Sequence, residues 1–296
     1  MLEIAFRRAT SGGSTPVYRV DLSTERAFLR LGEQPGETRE VEVRAHELLR
    51  ERDLPIPEVL RSESAPPELD RCAMLTRAIP GGPLLDRQLP ADQWQAILRQ
   101  AGRDLARITE IPVQGFGWAD RVHPADASLI AEHPTRSAWI AEYAIARDTI
   151  LGSDLFPPDV ARQLDDVMND WIALPDTTTS ALAHGDFDAT HIFVDGDDVG
   201  TYTGIIDFGE LRGADPLYDL GHAHLQDQQP DRGPIVPDLL AGVREITPLP
   251  DDVLLQIRRQ AIAIGTRQLA IFQRRQSPWT TTLAAQLVRL ASDTSR

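Results

Sequence analysis

The chain has 296 residues and a formal net charge of −15, which disfavours nucleic acid as a partner and favours a cationic ligand. All 30 basic residues are arginine, which excludes a lysine-containing P-loop and Schiff-base chemistry on lysine. The single cysteine, Cys72, excludes an internal disulfide and suits a reducing compartment. We find no signal-peptide core and no apolar run of membrane-spanning length, so we expect a cytoplasmic protein without a membrane partner.

The first 76 residues predict short strands around one helix. Alternating apolar residues indicate strands, and a helical apolar stripe indicates a helix over 38–53. The predicted strands cover residues 3–8, 17–21, 27–31, 58–63 and 71–76.

Two features of this strand-rich part are typical of a nucleotide site. A glycine-rich loop between the first two strands could lay free backbone N–H groups over phosphates. The loop residues concerned are Ser11, Gly12, Gly13 and Ser14. Arg30 is the one basic residue within 27–31, and Glu42 lies beside the apolar stripe of the helix. We therefore expect Arg30 and Glu42 to pair.

A proline and glycine break over 77–83 marks the best boundary in the chain. It divides a β lobe, 1–78, from a helical lobe, 79–296. Apolar residues at helical spacing predict helices beyond it, with loops at 111–120 and 230–237. The predicted helices cover 90–109, 137–151, 158–174, 251–274 and 280–291, with a further helix beginning over 220–225.

The stretch 181–220 contains two apolar strands, 191–194 and 202–206, and each has an acid beside it. Asp186 follows His184 and Gly185 before the first strand, and Asp207 directly follows the second. Two carboxylates at neighbouring strand ends suit a site for metal and phosphate. The alternative is a surface hairpin with solvated acids.

Three motifs in this half of the chain, HGDFDATHIF, GIIDFGE and ADPLYDLGH, resemble the aminoglycoside phosphotransferase family of antibiotic kinases. The resemblance covers nearly the whole chain and extends to choline, homoserine and methylthioribose kinases. It implies a bilobal, protein-kinase-like α+β fold. The smaller N-lobe is an antiparallel β-sheet, and the larger C-lobe is mostly helical and carries the catalytic loop.

The resemblance also implies roles for the two carboxylates and for the cation of the first lobe. Asp186 becomes the catalytic base, which accepts the proton of a substrate hydroxyl. Asp207 becomes a ligand of Mg²⁺, with Mn²⁺ as the alternative. Arg30 stands where the family usually carries a phosphate-contacting lysine, and Glu42 is its helix partner.

The remaining parts follow from the same resemblance. Residues 11–14 would cover the phosphates of ATP or GTP, and the backbones of Arg77 and Ile79 would meet the base. His184 would be structural. Asp219 would brace the catalytic loop.

His191 is the main departure, since the family normally has asparagine five residues after the catalytic aspartate. The only asparagine, Asn169, lies in a helix before the motif. Three readings stay open. His191 binds the metal, or it supports the loop by hydrogen bonds while Asp207 and water bind the metal, or the protein is a non-catalytic kinase.

The acidic stretch around Asp186 favours a polycationic substrate, such as an aminoglycoside or a tuberactinomycin-type basic peptide, and hence antibiotic resistance. Trp139 or Tyr143 could form an aromatic wall. The candidate substrate contacts are Asp188, Glu210, Asp215, Asp227 and Asp231. The alternatives are a metabolite kinase for choline, homoserine or a sugar, and a ligand-binding protein that has lost catalysis. The oligomeric state stays open.

Overall fold

The computed structural model describes the chain with short gaps. The described residues are 5–8, 17–21, 25–64, 69–122, 128–196, 200–230 and 233–292. The glycine-rich loop, with Ser11, Gly12, Gly13 and Ser14, and the acid Asp231 lie outside these ranges, so the expectations for them stay predictions.

The N-terminal part is an antiparallel five-stranded sheet with one helix. In chain order the strands are β1 (Ala5–Arg8), β2 (Val17–Asp21), β3 (Arg26–Leu31), β4 (Val59–Glu63) and β5 (Ala73–Arg77). They lie in the order β1-β2-β3-β5-β4. Helix α1 (Glu40–Arg50) follows β3 and buries Val41, Ala45 and Leu49. Its apolar stripe explains both its formation and its packing on the common core.

The second part is mostly helical. Its helices are α2 (Ala91–Thr109), α3 (Arg136–Leu151), α4 (Pro158–Ile172), α5 (Tyr218–Gln226), α6 (Val236–Arg244), α7 (Val253–Arg274) and α8 (Thr280–Ser292). An antiparallel N-terminal sheet followed by a helical C-terminal region confirms the predicted α+β class.

Two small sheets lie within the helical part. The first consists of β6 (Gly82–Pro83), β11 (Ile192–Asp195) and β12 (Thr201–Ile205), in the order β12-β11-β6. The second is a closed ring of β7 (Pro112–Gln114), β8 (Phe116–Ala119), β9 (Leu129–His133), β10 (Thr179–Ala183) and β13 (Arg212–Ala214). The last strand of the first sheet, β12, ends two residues before Asp207, and β10 leads into the loop that carries Asp186.

One loop prediction is wrong. Residues 111–120 contain β7 and β8, because buried Val113 and Phe116 pack inward while their backbones pair with other strands of the ring. The loop predicted at 230–237 is confirmed for the described residues 230 and 233–235, and α6 begins at its last two residues. The first turn of α6 carries Pro237, a residue tolerated there because the first helical N–H groups need no intrahelical partner.

Candidate active site

A cleft of about 850 Å³ lies between the N-terminal sheet and the helical part. Arg30 of β3 lines it on one side, and Asp186, His191 and Asp207 line it on the other. The residues that sequence reasoning selected at distant positions therefore share one cavity.

The loop before Asp186 is held by backbone hydrogen bonds. The N–H groups of His184 and Gly185 donate to the two carboxylate oxygens of Asp219, at 2.8 and 2.9 Å. Asp219 is 3% exposed, so these bonds are shielded from water. The contacts agree with the expected bracing role of Asp219.

Gly185 is required by this loop. Its φ is +91°, and a Cβ there would lie 1.9 Å from the carbonyl oxygen of Glu210. A side chain at this position would therefore push Gly185 away from Glu210 and shift Asp186, the next residue. Asp186 itself has a half-exposed side chain that reaches the cleft.

His184 links this loop to the segment that carries Asp207. Its Nε2 donates to the carbonyl of Ile206 at 2.8 Å, and its Nδ1 accepts from the N–H of Asp186 at 3.4 Å. The ring is fully buried and packs on Phe208. Burial, followed by the charge of His191, lowers the pKa of His184 to about 4. The neutral ring is thus part of the fold.

Asp207 follows β12 in a left-handed conformation, with φ of 65°, which aspartate tolerates better than most residues. Its Oδ1 accepts a hydrogen bond from Arg30, and its Oδ2 lies 3.8 Å from Nε2 of His191. Burial alone would raise the pKa of Asp207, but Arg30 and His191 outweigh it and hold that pKa below its ordinary value.

His191 lies between Asp207 and Asp188. Its Nδ1 is buried, 3.7 Å from Oδ1 of Asp188, and has no hydrogen-bond partner among the described residues. Asp188 accepts from the N–H of Thr190 at 2.7 Å. Within the described ranges no three histidine, cysteine, aspartate or glutamate side chains converge. The two donors Asp207 and His191 fit a divalent cation only if phosphate and water complete its coordination.

Arg30 and Glu42 form the expected ion pair at 2.7 Å. Arg39, which sequence reasoning missed, donates to the other oxygen of Glu42 at 2.8 Å and is 4% exposed. Burial alone would raise the pKa of Glu42, but Arg30 and Arg39 reverse this and lower it. The sole sequence signal for Arg39 is its position three residues before Glu42.

The predicted hinge residues and two of the predicted substrate contacts do not line this cleft, and their roles stay predictions. Arg77 and Ile79 are not among the described residues that line the cleft, and neither are Asp215 and Asp227. Both carboxylate oxygens of Asp227 accept backbone N–H groups at the start of α6, at 2.9 and 3.0 Å. Asp215 lies 3.7 Å from Nε of Arg136. Glu210 and Asp188 do line the cleft.

The aromatic wall was predicted only in part. Tyr143 is among the residues around the cleft but is itself fully buried, and Trp139 is 2% exposed and packs against Phe116 in the core. Sequence reasoning missed Trp118 and two residues of α7, Arg267 and Gln268, which also line the cleft. Arg267 is paired with Glu142 at 2.7 Å.

The site combines an acid in the loop after β10, a second acid in a left-handed turn and a paired cation on a facing sheet, which is the arrangement expected of a kinase-like phosphotransferase. The sequence profile of the phosphotransferase enzyme family, APH, matches residues 5–251. The chain belongs to this family. The predicted class, a small-molecule phosphotransferase with a hydroxyl acceptor, is thereby confirmed.

Solved structures share the fold over nearly the whole chain. A thermostable mutant of aminoglycoside phosphotransferase APH(4)-Ia has 20% identity and a TM-score of 0.67, with 98% of this chain and 96% of the other covered. A microcompartment-associated aminopropanol kinase has 16% identity and a TM-score of 0.62, with 97% and 90% covered. Macrolide 2′-phosphotransferase from Brachybacterium faecium has 16% identity and a TM-score of 0.56, with 97% and 94% covered.

A search of curated protein sequences found no significant match. Across the described residues, every helix is too short or too polar to cross a membrane.

Proposed function

We propose that the protein is a kinase that transfers the terminal phosphate of ATP or GTP to a hydroxyl of a small cationic antibiotic, an aminoglycoside or a tuberactinomycin-type basic peptide. The product would be the phosphorylated antibiotic, and the physiological result would be resistance. The observation that carries the proposal is the placement of Asp186, Asp207 and Arg30 around one cleft.

In the proposed reaction Asp186 binds the acceptor hydroxyl and takes its proton as the oxygen attacks the terminal phosphorus. The bond between that phosphorus and the bridging oxygen breaks, and the nucleoside diphosphate leaves. Arg30 donates to phosphate oxygens, and its pairing with Glu42 keeps it at the cleft. Asp207 and His191 would hold Mg²⁺ or Mn²⁺, which neutralises phosphate charge when bound.

Charge at the acceptor side supports a cationic substrate. Asp86, Asp188 and Glu210 line the same cleft as Asp186. Arg267 is paired with Glu142, and Arg212 lies 3.1 Å from Glu210. Arg267 therefore adds little positive potential, and Arg212 and Glu210 largely offset each other, so the negative potential of the cleft comes mainly from its aspartates. A solved complex of APH(4)-Ia with ADP and hygromycin B, at 17% identity, provides a relative with this substrate type.

A metabolite kinase is the second candidate, and its support is the shared fold of an aminopropanol kinase. We favour the antibiotic because of the acids that share the cleft with Asp186. The single cysteine, Cys72, is buried and free, and we propose that the enzyme acts in the reducing cytoplasm.

The test combines nucleoside diphosphate release with the product mass. The panel contains aminoglycosides, tuberactinomycins, choline, homoserine and aminopropanol, each with ATP or GTP. We expect an 80-Da increase, the mass of one added phosphoryl group, on a cationic antibiotic, and its loss in Asp186→Asn. Phosphorylation of a metabolite alone would contradict the antibiotic assignment, and normal turnover by Asp186→Asn would contradict the assigned base.

His191→Asn tests the metal assignment. Imidazole favours softer metals than an amide oxygen does, so we expect this variant to shift the preference from Mn²⁺ towards Mg²⁺. An unchanged ratio of the two activities would show that His191 supports the loop and does not bind the metal.

A further inference from the structure

A buried histidine lies directly behind the proposed catalytic base. His222 of α5 is 1% exposed and is not among the described residues that line the cleft. Its Nε2 lies 3.3 Å from Oδ1 of Asp186, the residue whose carboxylate does face the cleft. The ring therefore contacts one oxygen of Asp186 from the protein side.

The second ring nitrogen fixes where the hydrogens are. Nδ1 of His222 lies 3.0 Å from the carbonyl oxygen of Phe187. A carbonyl only accepts, so Nδ1 carries a hydrogen and donates it. If Nε2 carried none, its lone pair would face a carboxylate, which also only accepts. A hydrogen on Nε2 turns this repulsive contact into a charge-assisted hydrogen bond.

The groups around the ring are compatible with a protonated imidazole. Asp219, three residues earlier on α5, is buried and contributes negative charge near His222. From α7 the side-chain amide nitrogen of Gln268 lies 3.4 Å from Nε2. The amide of Gln268 can present either its oxygen or its nitrogen. Arg267, its neighbour in sequence, is paired with Glu142.

We infer that His222 is a positioning residue for phosphoryl transfer. Its Nδ1–H binds the Phe187 carbonyl, its Nε2–H holds one oxygen of Asp186, and the other oxygen is thereby directed at the acceptor hydroxyl. Asp186 is half-exposed, so without this bond its side chain would sample several rotamers. The inference rests on the proposed function, in which Asp186 is the base.

Two substitutions separate the two ring nitrogens. In His222→Asn the amide occupies the place of Nδ1 and keeps the Phe187 contact, but nothing reaches Asp186. In His222→Gln the amide occupies the place of Nε2 and can still donate to Asp186. We expect kcat to fall about tenfold or more in the Asn variant with nucleotide KM unchanged, and the Gln variant to recover most of it. His224→Gln, on the same helix, is the matched control.

A second measurement does not depend on turnover. Nitrogen NMR of the histidine rings, in the wild type and in Asp186→Asn, reports which nitrogens carry hydrogen. We expect Nε2 of His222 to be protonated beside the carboxylate and to lose that hydrogen beside an amide, which supplies its own donor. The His224 signals should stay the same.

The two readouts separate the inference from the proposed function. An Nε2 signal of His222 that is identical in both proteins, or an Asn variant as active as the wild type, would overturn the role of His222. Absence of phosphoryl transfer by the wild type would instead overturn the proposed function, and the NMR comparison would still decide the contact between His222 and Asp186.

Discussion

The two sides of the cleft are built by different interactions. On the side of the N-terminal sheet, Arg39, Glu42 and Arg30 form a chain of alternating charges that ends at Asp207 across the cleft, joined only through side chains. On the side of the catalytic loop, the backbone N–H groups of His184 and Gly185 bind one buried carboxylate, that of Asp219.

This difference decides which residues of the site can exchange their partners when a ligand binds. Asp207 is 47% exposed and Arg30 is 14% exposed at the side chain, so phosphate or a cation can compete for the bond between them. Such exchange does not leave a buried charge unpaired, because Asp207 is open to water and Arg30 keeps its bond to Glu42. The loop of Asp186 lacks this freedom, since breaking its bonds leaves buried polar groups unpaired.

We conclude that the loop of the proposed base is fixed by the fold, whereas the residues proposed to bind phosphate and metal are held by ion pairs that ligands can replace. This agrees with their proposed tasks. A base must be aligned before the reaction, and a cation that binds nucleotide must exchange partners as nucleotide enters and leaves.

We expect the largest effect from removing the hydrogen bonds that hold the Asp186 loop. Asp219→Ala removes the acceptor of two buried N–H groups, and we expect the free energy of unfolding to fall by about 3 kcal/mol. Displacement of the Asp186 loop should also lower kcat more than about 100-fold. Urea unfolding and steady-state kinetics measure both. Asp166→Ala, at an exposed position of α4, should change neither, and equal stability of Asp219→Ala and wild type would contradict this account.

Low pH should lower the free energy of unfolding through protonation of His184, which supports the Asp186 loop. The folded-state pKa is about 4, whereas an unfolded histidine titrates near 6.5. Between these values the unfolded chain binds more protons, so stability is lost as pH falls below about 6.5, and the loss is complete near pH 4. It amounts to about 3 kcal/mol.

The difference between wild type and His184→Gln isolates this effect. Glutamine can still donate to the Ile206 carbonyl but does not take up a proton. The subtraction also removes the opposite contribution of Asp227. Burial raises the pKa of Asp227 to about 6, so its protonation stabilises the folded protein as pH falls. Equal acid sensitivity of the two proteins in urea unfolding from pH 7 to 4 would exclude His184 as the source.

In the chain of charges from Arg39 to Asp207, we expect the buried Glu42 to contribute most to stability. Glu42→Gln leaves Arg39 and Arg30 without their shared negative charge, while the amide oxygen still accepts one bond. We expect a loss of about 2 kcal/mol in the free energy of unfolding. Glu47→Gln on the same helix, at a side chain that is 55% exposed, should cost less than about 0.5 kcal/mol. Equal effects of the two would contradict a structural role for the charge chain.

The sequence predicted those site residues and helices that can be recognised from neighbouring residues in the chain. Asp186 and Asp207 are recognisable because each lies beside an apolar strand. Arg30 and Glu42 could be paired because one basic residue occurs in the strand and the helix follows directly. The helices with strong apolar stripes, such as α2 and α7, were predicted for the same reason.

What the sequence did not predict depends on contacts between distant segments. Counting acids describes an electrostatic field, but it does not separate an acid in the cleft, such as Asp188, from Asp227, which binds N–H groups of α6. Trp118 and Trp139 both lie near aromatic residues in sequence, and only the fold decides which one is buried. No local sequence pattern links His222 to Asp186, because their contact joins α5 to the loop after β10.

The smallest effect we predict comes from Arg30→Lys, which keeps the positive charge but removes the two terminal nitrogens of the guanidinium group. The guanidinium donates to Glu42 and to Asp207 from two different nitrogens, and one ammonium group on a different stem cannot reproduce that geometry. We expect nucleotide KM to rise about fivefold, with a change in unfolding free energy below about 1 kcal/mol. Arg26→Lys, on the same strand at a side chain that is 53% exposed, is the control. If Arg30→Lys binds nucleotide as well as the wild type, charge alone is required at this position, and the bridge from Glu42 to Asp207 does not prepare the cleft for phosphate.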